Sequence, residues 1–315
     1  MKTLIRRARC LKPLKPLLCK NSLRSLLTLG ERYLQGRGFE KPCQEAEALL
    51  LTLLLLTRID LYIDSNREIS DEDKDAFFNR VIRRGEHEPL QYITGEIDFC
   101  GLTLSVSPGV FIPRPETELI VEEASRILPT PQSILDICTG SGALAIALAK
   151  QFPLASITAI DCSQIALDTA RRNANRLLGS PKITFMEGDL FSPFFQRPRR
   201  AFCPNEVSIT RSPYDLIVCN PPYIAKEDTQ TMDTEVLFFE PPLALFSEDS
   251  GLAHIKRVLT QAPLFLSPCG ILMLEIGIGQ SDRLIDFIKK STPFTVRVIQ
   301  DFAGIDRILI CQWTK

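Results

Sequence analysis

Seven short runs rich in β-branched residues follow Pro113, and helical stretches separate most of them. They are Ser133 to Ile137, Ser156 to Ile160, Ile183 to Met186, Tyr214 to Val218, Ile271 to Leu274, Val296 to Ile299 and Ile308 to Cys311. Two strands can run parallel only if a crossover connection lies between them, and a helix is the usual one. The alternation therefore predicts an α/β domain with a mostly parallel seven-stranded sheet covered on both faces. Only Gln300 to Arg307 joins the last two runs, so these should pair antiparallel at one end of the sheet. At about 150 residues per domain, 315 residues leave room for a second, smaller unit.

That unit lies upstream. From Ser22 to about Arg84 apolar residues recur at helical spacing, notably Leu23, Leu26, Leu27, Tyr33, Leu34 and the Leu49 to Leu56 block. Ser70, followed by Asp71, Glu72 and Asp73, reads as the N-cap of a helix with acids in its first turn. Residues 22–92 are expected to form a small helical domain. Residues 93–113 read as a hairpin and linker, because Gly95 to Pro113 alternates apolar residues with Gly and Pro. Residues 21–112 carry ten basic and fifteen acidic side chains, which disfavours a phosphate-binding surface there. The insertion 192–213, with four prolines, four arginines and one acid, reads as an exposed loop between strands.

Residues 1–21 read as a disordered basic extension. The first thirty residues hold Lys2, Arg6, Arg7, Arg9, Lys12, Lys15, Lys20 and Arg24 and no acid, so import into an organelle is the alternative. The chain as a whole has 37 basic and 38 acidic residues, which gives no global attraction to nucleic acid or acidic membranes. Its densest apolar run, Ala48 to Leu56, spans nine residues where a bilayer crossing needs about 20. The ten cysteines contain no CxxC pair, so they read as reduced thiols in a cytoplasmic protein and not as metal ligands. No metal site is expected. The two histidines, His87 and His254, lie far apart and beside no nucleophile motif, which argues against histidine acid/base chemistry.

Ile134 to Ala145 (ILDICTGSGALA) runs from a strand into a helix, and Gly140 and Gly142 permit a tight turn with close backbone approach to a ligand. Asp161 ends the next strand, 21 residues after Gly140, where a carboxylate in such folds accepts hydrogen bonds from ribose hydroxyls. Together they signal a nucleoside-containing cofactor, but this pattern alone does not separate NAD from S-adenosylmethionine. After the third strand, Asp189 is placed to accept from an adenine amino group and Leu190 to pack on its ring, with a helix cap as the alternative for Asp189.

Asn220, Pro221, Pro222 and Tyr223 directly follow the fourth strand. The prolines fix an extended backbone, the Asn220 side chain and the Pro221 carbonyl offer two acceptors for one planar NH2 group, and Tyr223 can stack on that group. This suits methylation of an amide or exocyclic amine, a poor nucleophile that needs alignment with the methyl carbon of a sulfonium. Hydride transfer has no use for such a loop.

The last 200 residues resemble class I S-adenosylmethionine-dependent methyltransferases of the amino-methylating NPPY group. More narrowly, the chain from about residue 22 onward resembles the HemK/PrmC family, which methylates the glutamine of the Gly-Gly-Gln motif in class I peptide chain release factors. The matching segments are Pro89 to Gly95 with Phe99, Phe111 to Glu118, Asp136 to Gly142, Asn220 to Ile224, Glu240 to Leu245, Gly251-Leu252, and Leu274 to Gly277 with Gln280. The resemblance implies a Rossmann-like fold over 114–315 and a substrate-docking role for residues 22–92. It implies a cofactor site of Cys138, Thr139, Gly140, Ser141, Gly142, Asp161, Asp189, Leu190 and Asn220. It also implies that Asn220, Pro221, Pro222 and Tyr223 hold the substrate glutamine, with Asn220, Pro221 and Tyr223 taking part in catalysis.

Two positions depart from the family pattern, which usually has Gly at Cys138 and often Trp at Leu190. Both departures should weaken cofactor binding without abolishing activity. No direct nucleic-acid binding is expected, and a monomer is the default. The competing readings are an adenine-N6 methyltransferase of DNA or RNA, a degenerate binding scaffold and an NAD-dependent oxidoreductase. The acidic upstream domain disfavours the first, intact Asn220 and Asp161 the second, and the missing proton donor the third.

Overall fold

The computed structural model describes residues 21–179, 182–196, 208–209, 213–230 and 232–313. The expected basic extension, apart from residue 21, and the middle of the 192–213 insertion lie outside them. The chain divides into two compact units, one ending at Thr94 and the other beginning at Gly95.

The first unit is helical: α1 Leu23–Gln35, α2 Pro42–Leu54, α3 Arg58–Ile63, α4 Asp71–Gly85 and α5 Leu90–Thr94. Ser22 and Ser70 cap α1 and α4 by accepting from the backbone three residues on, and Thr57 with Asp60 closes a capping box on α3. Leu23, Leu26, Leu34, Leu49, Leu50, Phe77 and Val81 form its apolar core. Arg84 is buried on the core edge, where it pairs with Glu45 and lies 4.4 Å over the Phe39 ring.

The second unit begins with a hairpin, β1 Glu96–Phe99 and β2 Leu102–Ser105. Its two-residue turn is Cys100-Gly101, both at positive φ, and the Cys100 N–H donates to Glu118 at 2.9 Å. Phe99 and Leu104 are buried in the same apolar layer as α6 (Glu118–Ile127) and α7 (Ala143–Gln151), so the hairpin belongs to the packed body and is not a free linker. The remaining elements, in chain order from the strand that precedes α7, are β3 Ser133–Ile137, β4 Ser156–Asp161, α8 Gln164–Leu178, β5 Ile183–Glu187, a small ribbon of β6 Phe195–Gln196 and β7 Ser208–Ile209, and β8 Tyr214–Cys219. Then come α9 Thr234–Phe239, α10 Pro242–Leu245, α11 Ala253–Gln261, β9 Leu266–Glu275, α12 Ser281–Ser291, β10 Phe294–Gln300 and β11 Asp306–Trp313.

The main sheet has seven strands in the order β10-β11-β9-β8-β3-β4-β5. All are parallel except β11, which runs against both of its neighbours, as the short Gln300 to Arg307 connection requires. Helices cover both faces: α6, α7 and α8 side chains join one apolar layer, and Ile255, Val258, Leu259, Leu284 and Ile288 of α11 and α12 join the other. The start of the insertion is not the exposed loop that its prolines suggest. Phe194 is buried, Phe191 stacks on Phe265 at 4.4 Å, and Phe195 meets the edge of the same ring. Three phenylalanines within five residues find apolar partners that a loop reading ignores.

One carboxylate is embedded in this core. Asp136 of β3 accepts from the Thr139 hydroxyl at 2.5 Å and from the Ala145 N–H at 3.1 Å, tying the strand to the first turn of α7. Its Oδ1 is buried with no partner among the described residues, and burial pushes its pKa up to about 7. An acid whose pKa is higher in the folded than in the unfolded state stabilises fully below the unfolded value. That contribution is lost as pH rises through the folded value. Between pH 4 and 8 the wild type should therefore lose on the order of 4 kcal/mol relative to Asp136→Asn, which keeps one acceptor for both donors and does not ionise. Urea unfolding of both proteins across that range checks this, and parallel pH profiles refute it.

Candidate functional site

The sheet register places the chemistry. Ile160 of β4 pairs with Ile137 of β3, Ile137 with Cys219 of β8, and Cys219 with Leu274 of β9. One residue further along each strand stand Asp161, Cys138, Asn220 and Glu275, in one row across four adjacent strands at their carboxyl ends. The order reverses here, since β4 follows β3 on one side and β8 lies on the other. Such a switch point opens a crevice between the two diverging connections, where open α/β sheets bind ligands.

A cavity of about 640 Å³ opens at this crevice, a size that suits a nucleotide-sized molecule. Cys138, Gly140, Asp161, Asp189, Leu190, Asn220, Pro221, Pro222 and Tyr223 line it. Thr139, Ser141 and Gly142 do not. Thr139 is buried and donates to Asp136, the Ser141 carbonyl accepts from Asn173 at 3.0 Å, and Gly142 starts α7 at φ +83°. These three shape the loop from behind.

At Gly140, φ is +57° and an added Cβ would meet nothing within 4 Å, so the loop backbone is open toward the cavity. Its N–H donates to Asp161 Oδ2 at 2.8 Å while the Ser163 N–H donates to Oδ1 at 2.9 Å. Burial raises the Asp161 pKa, and these backbone donors oppose the shift. Cys162 also donates to this carboxylate. Ser141 Oγ in the loop and Asp136 Oδ1 in the strand before it are both buried without partners among the described residues. The open backbone at Gly140 and the Asp161 carboxylate at this sheet edge are groups that fit the nucleoside part of S-adenosylmethionine.

Two expected positions are less open than the sequence suggests. Leu190, at φ +51°, is 3% exposed and shares its apolar cluster with Phe191 and Phe265, so it offers only an edge to the cavity. Asp189 caps no helix; its carboxylate forks onto Arg257 at 2.7 and 3.3 Å on the cavity wall.

Asn220 donates through Nδ2 to Thr117 Oγ1 at 3.1 Å, and Thr117 donates to Glu275 Oε2 at 2.5 Å. The Tyr223 hydroxyl donates to Glu275 Oε1 at 3.0 Å. Burial raises the Glu275 pKa, against the pull of Thr117, Tyr223 and the Arg307 charge, and burial beside Glu275 holds the Tyr223 hydroxyl far above its usual range. Tyr223 therefore keeps its proton and is not a base. Behind the loop, Gln280 donates to the Tyr223 carbonyl at 2.9 Å, and a Cβ at Gly251 would stand 2.1 Å from that carbonyl. At the rim, Arg114 pairs with buried Glu240, which also accepts from the Ile112 N–H at 3.3 Å.

Thr117 and Glu275 are the residues that motif reading missed as site members. Their signal was present: Glu275 is the single acid ending an otherwise apolar strand run, Ile271 to Ile276, and a charge there needs a reason. His254 also lines the cavity, but its Nδ1 is engaged with Ser247 Oγ at 2.7 Å.

Comparison with known proteins adds to this geometry. Residues 25–95 match the family model of the PrmC N-terminal domain, and residues 102–249 match that of the methyltransferase small domain. The release factor glutamine methyltransferase of Geobacter sulfurreducens is 38% identical over 288 residues, covering 91% of this chain and 95% of the relative. That of Streptococcus pneumoniae is 37% identical over 273 residues, covering 85% and 91%. Among solved structures, the hMettl16 catalytic domain in complex with the MAT2A 3'UTR hairpin 6 superposes with a TM-score of 0.51 at 14% identity, covering 78% of this chain and 82% of that one, which shows the shared fold alone. With a relative 38% identical over nearly the full length of both chains, and with both domain models matched, this chain belongs to the release factor glutamine methyltransferase family.

Proposed function

We propose that the chain transfers a methyl group from S-adenosyl-L-methionine to the side-chain amide nitrogen of the glutamine in the Gly-Gly-Gln motif of class I release factors. The observation that carries this reading is the Asn220-Pro221-Pro222-Tyr223 loop on the cavity wall, one strand from the glycine loop, with its Asn amide held from behind by Thr117.

Bound S-adenosylmethionine supplies a methyl group made electrophilic by its sulfonium. The chain's own residues do the rest by placement. Asp161 and the open backbone at Gly140 hold the nucleoside end. Asn220 Oδ1 and the Pro221 carbonyl accept from the two N–H groups of the substrate amide and turn its nitrogen toward the methyl carbon. As that nitrogen becomes positive, the same two acceptors stabilise it and its proton leaves through them to solvent. The Tyr223 ring, fixed at its hydroxyl by Glu275, covers the planar amide.

Residues 22–92 dock the protein substrate in this reading, and their excess of acidic side chains suits a protein partner better than nucleic acid. A cytoplasmic site of action is supported by the seven described cysteines, all of which are free thiols, and by the bacterial relatives. No helix among the described residues is long and apolar enough to cross a membrane.

Cys138 sits at φ +60°, a conformation glycine adopts freely and a side-chain-bearing residue adopts at a cost of roughly 1 kcal/mol. Its thiol lies against Cys219, and contact with Cys219 together with burial raises its pKa well above the usual thiol value. Cys138→Gly should tighten S-adenosylmethionine binding several-fold with kcat nearly unchanged. Isothermal titration checks this, and weaker binding in the variant refutes it.

Incubation with labelled S-adenosylmethionine should mark a wild-type release factor, leave its Gly-Gly-Gln glutamine variant unmarked and leave duplex or structured RNA and DNA unmarked. Label on nucleic acid alone would move the chain to the adenine-N6 class. Asn220→Ala should abolish transfer while cofactor affinity stays within about tenfold, because alignment is lost and uniform binding is not. Full turnover in that variant would remove the amide from the mechanism.

A further inference from the structure

We propose that buried Glu275, acting through Thr117, sets the polarity of the Asn220 amide and thereby makes the site accept an amide substrate and refuse a carboxylate. This rests on the reading of Asn220 as the group that receives the substrate amide.

A carboxylate can only accept hydrogen bonds. Glu275 is 1% exposed, and both of its oxygens are taken by hydroxyl donors, Thr117 on one and Tyr223 on the other. Thr117 is itself 3% exposed and has a single proton, which it gives to Glu275 at 2.5 Å. Toward Asn220 its oxygen is therefore restricted to accepting, and the Asn220 amide must turn its NH2 to it, at 3.1 Å. The remaining amide atom, Oδ1, is left for the cavity as an acceptor. In the proposed reading the Pro221 carbonyl, next in the chain, is the second acceptor, so the two groups that receive the substrate amide offer acceptors and no donor. An incoming NH2 satisfies both, whereas a carboxylate would face two lone pairs with nothing to donate.

A neutral or donating group in place of Glu275 would release this constraint. The proton of Thr117 could then point at Asn220, the amide could rotate by 180°, and its NH2 would face the cavity. The chain holds this polarity across three sequence-distant elements: Thr117 before α6, Asn220 after β8 and Glu275 at the end of β9. Glu275 and Thr117 are positioning residues here, since neither needs to touch the substrate.

The test is a comparison of Thr117→Val, which keeps the shape and removes the hydroxyl, with Thr117→Ser, which keeps the hydroxyl, and with Glu275→Gln. Two quantities are read. One is kcat and KM for methyl transfer to a release factor. The other is the ratio of Kd values, in the presence of S-adenosylhomocysteine, for that factor and for its variant with glutamate in place of the methylated glutamine. The wild type should bind the glutamine form at least tenfold more tightly than the glutamate form. Thr117→Val should bring the ratio within about threefold and lower kcat at least tenfold with little change in KM, whereas Thr117→Ser should stay within about threefold of wild type in both. Glu275→Gln offers one acceptor to two donors and should lower kcat at least tenfold; if it does not fold, the Thr117 pair decides alone. A Thr117→Val protein with wild-type kcat and wild-type ratio, or a Thr117→Ser protein as impaired as Thr117→Val, overturns the relay. If the wild type labels no release factor at all, the substrate reading itself is wrong, which is a different result from a wild type that labels the factor but ignores Thr117.

Discussion

The site depends on hydrogen-bond register between four parallel strands. Because β4, β3, β8 and β9 pair without offset at their carboxyl ends, Asp161, Cys138, Asn220 and Glu275 emerge as a single row. No two of them are closer than 23 residues in sequence, and the ladder alone brings them side by side. A slip of one residue in β8 would carry Asn220 to the opposite face of the sheet, since side chains alternate with period two. The apolar layers on both faces fix that register: Leu216 and Val218 face one layer, Ile217 and Cys219 the other, and all four are fully buried.

Ionisable groups occur in and just below that row against the general preference for an apolar interior. Asp136, Asp161 and Glu275 are all pushed toward their neutral forms by burial, and each is offset by donors that the fold places on it. The donors are a hydroxyl and an amide for Asp136, backbone amides for Asp161, and two hydroxyls for Glu275. Leaving one such acid without its donors would cost the full desolvation of a buried charge. Each acid therefore fixes the orientation of the groups around it, so the same interactions that make the acids tolerable also fix the cavity wall.

Much of this was legible in the sequence. All seven strands, the reversed last strand, the helical upstream unit and the glycine and NPPY loops can be read from periodicity and turn chemistry, because each is a local property of the chain. The hairpin at 96–105 is legible as a hairpin, but its membership in the sheet-containing unit is not, since that follows from Phe99 and Leu104 meeting α6 and α7. The buried start of the insertion was masked by its prolines and arginines. Spacing also draws Thr139, Ser141 and Gly142 into the site as a block with Cys138 and Gly140, whereas only Cys138 and Gly140 of these five line the cavity. Thr117 and Glu275 escaped for the opposite reason: their role exists only through partners 103 and 158 residues apart.

The ladder also separates what may vary in this chain from what cannot. The connection from β5 to β8 carries the long insertion, yet β8 still meets β3 with Ile137 opposite Cys219. A crossover sets only which strand comes next; backbone pairing and side-chain alternation set the register. Loop length between the strands is therefore a free variable in the history of such a protein, open to growth at the cost of chain entropy alone. Strand phase is not. Descendants of this fold can lengthen by tens of residues between its strands and keep their chemistry, while the deletion of one residue within β8 would end it.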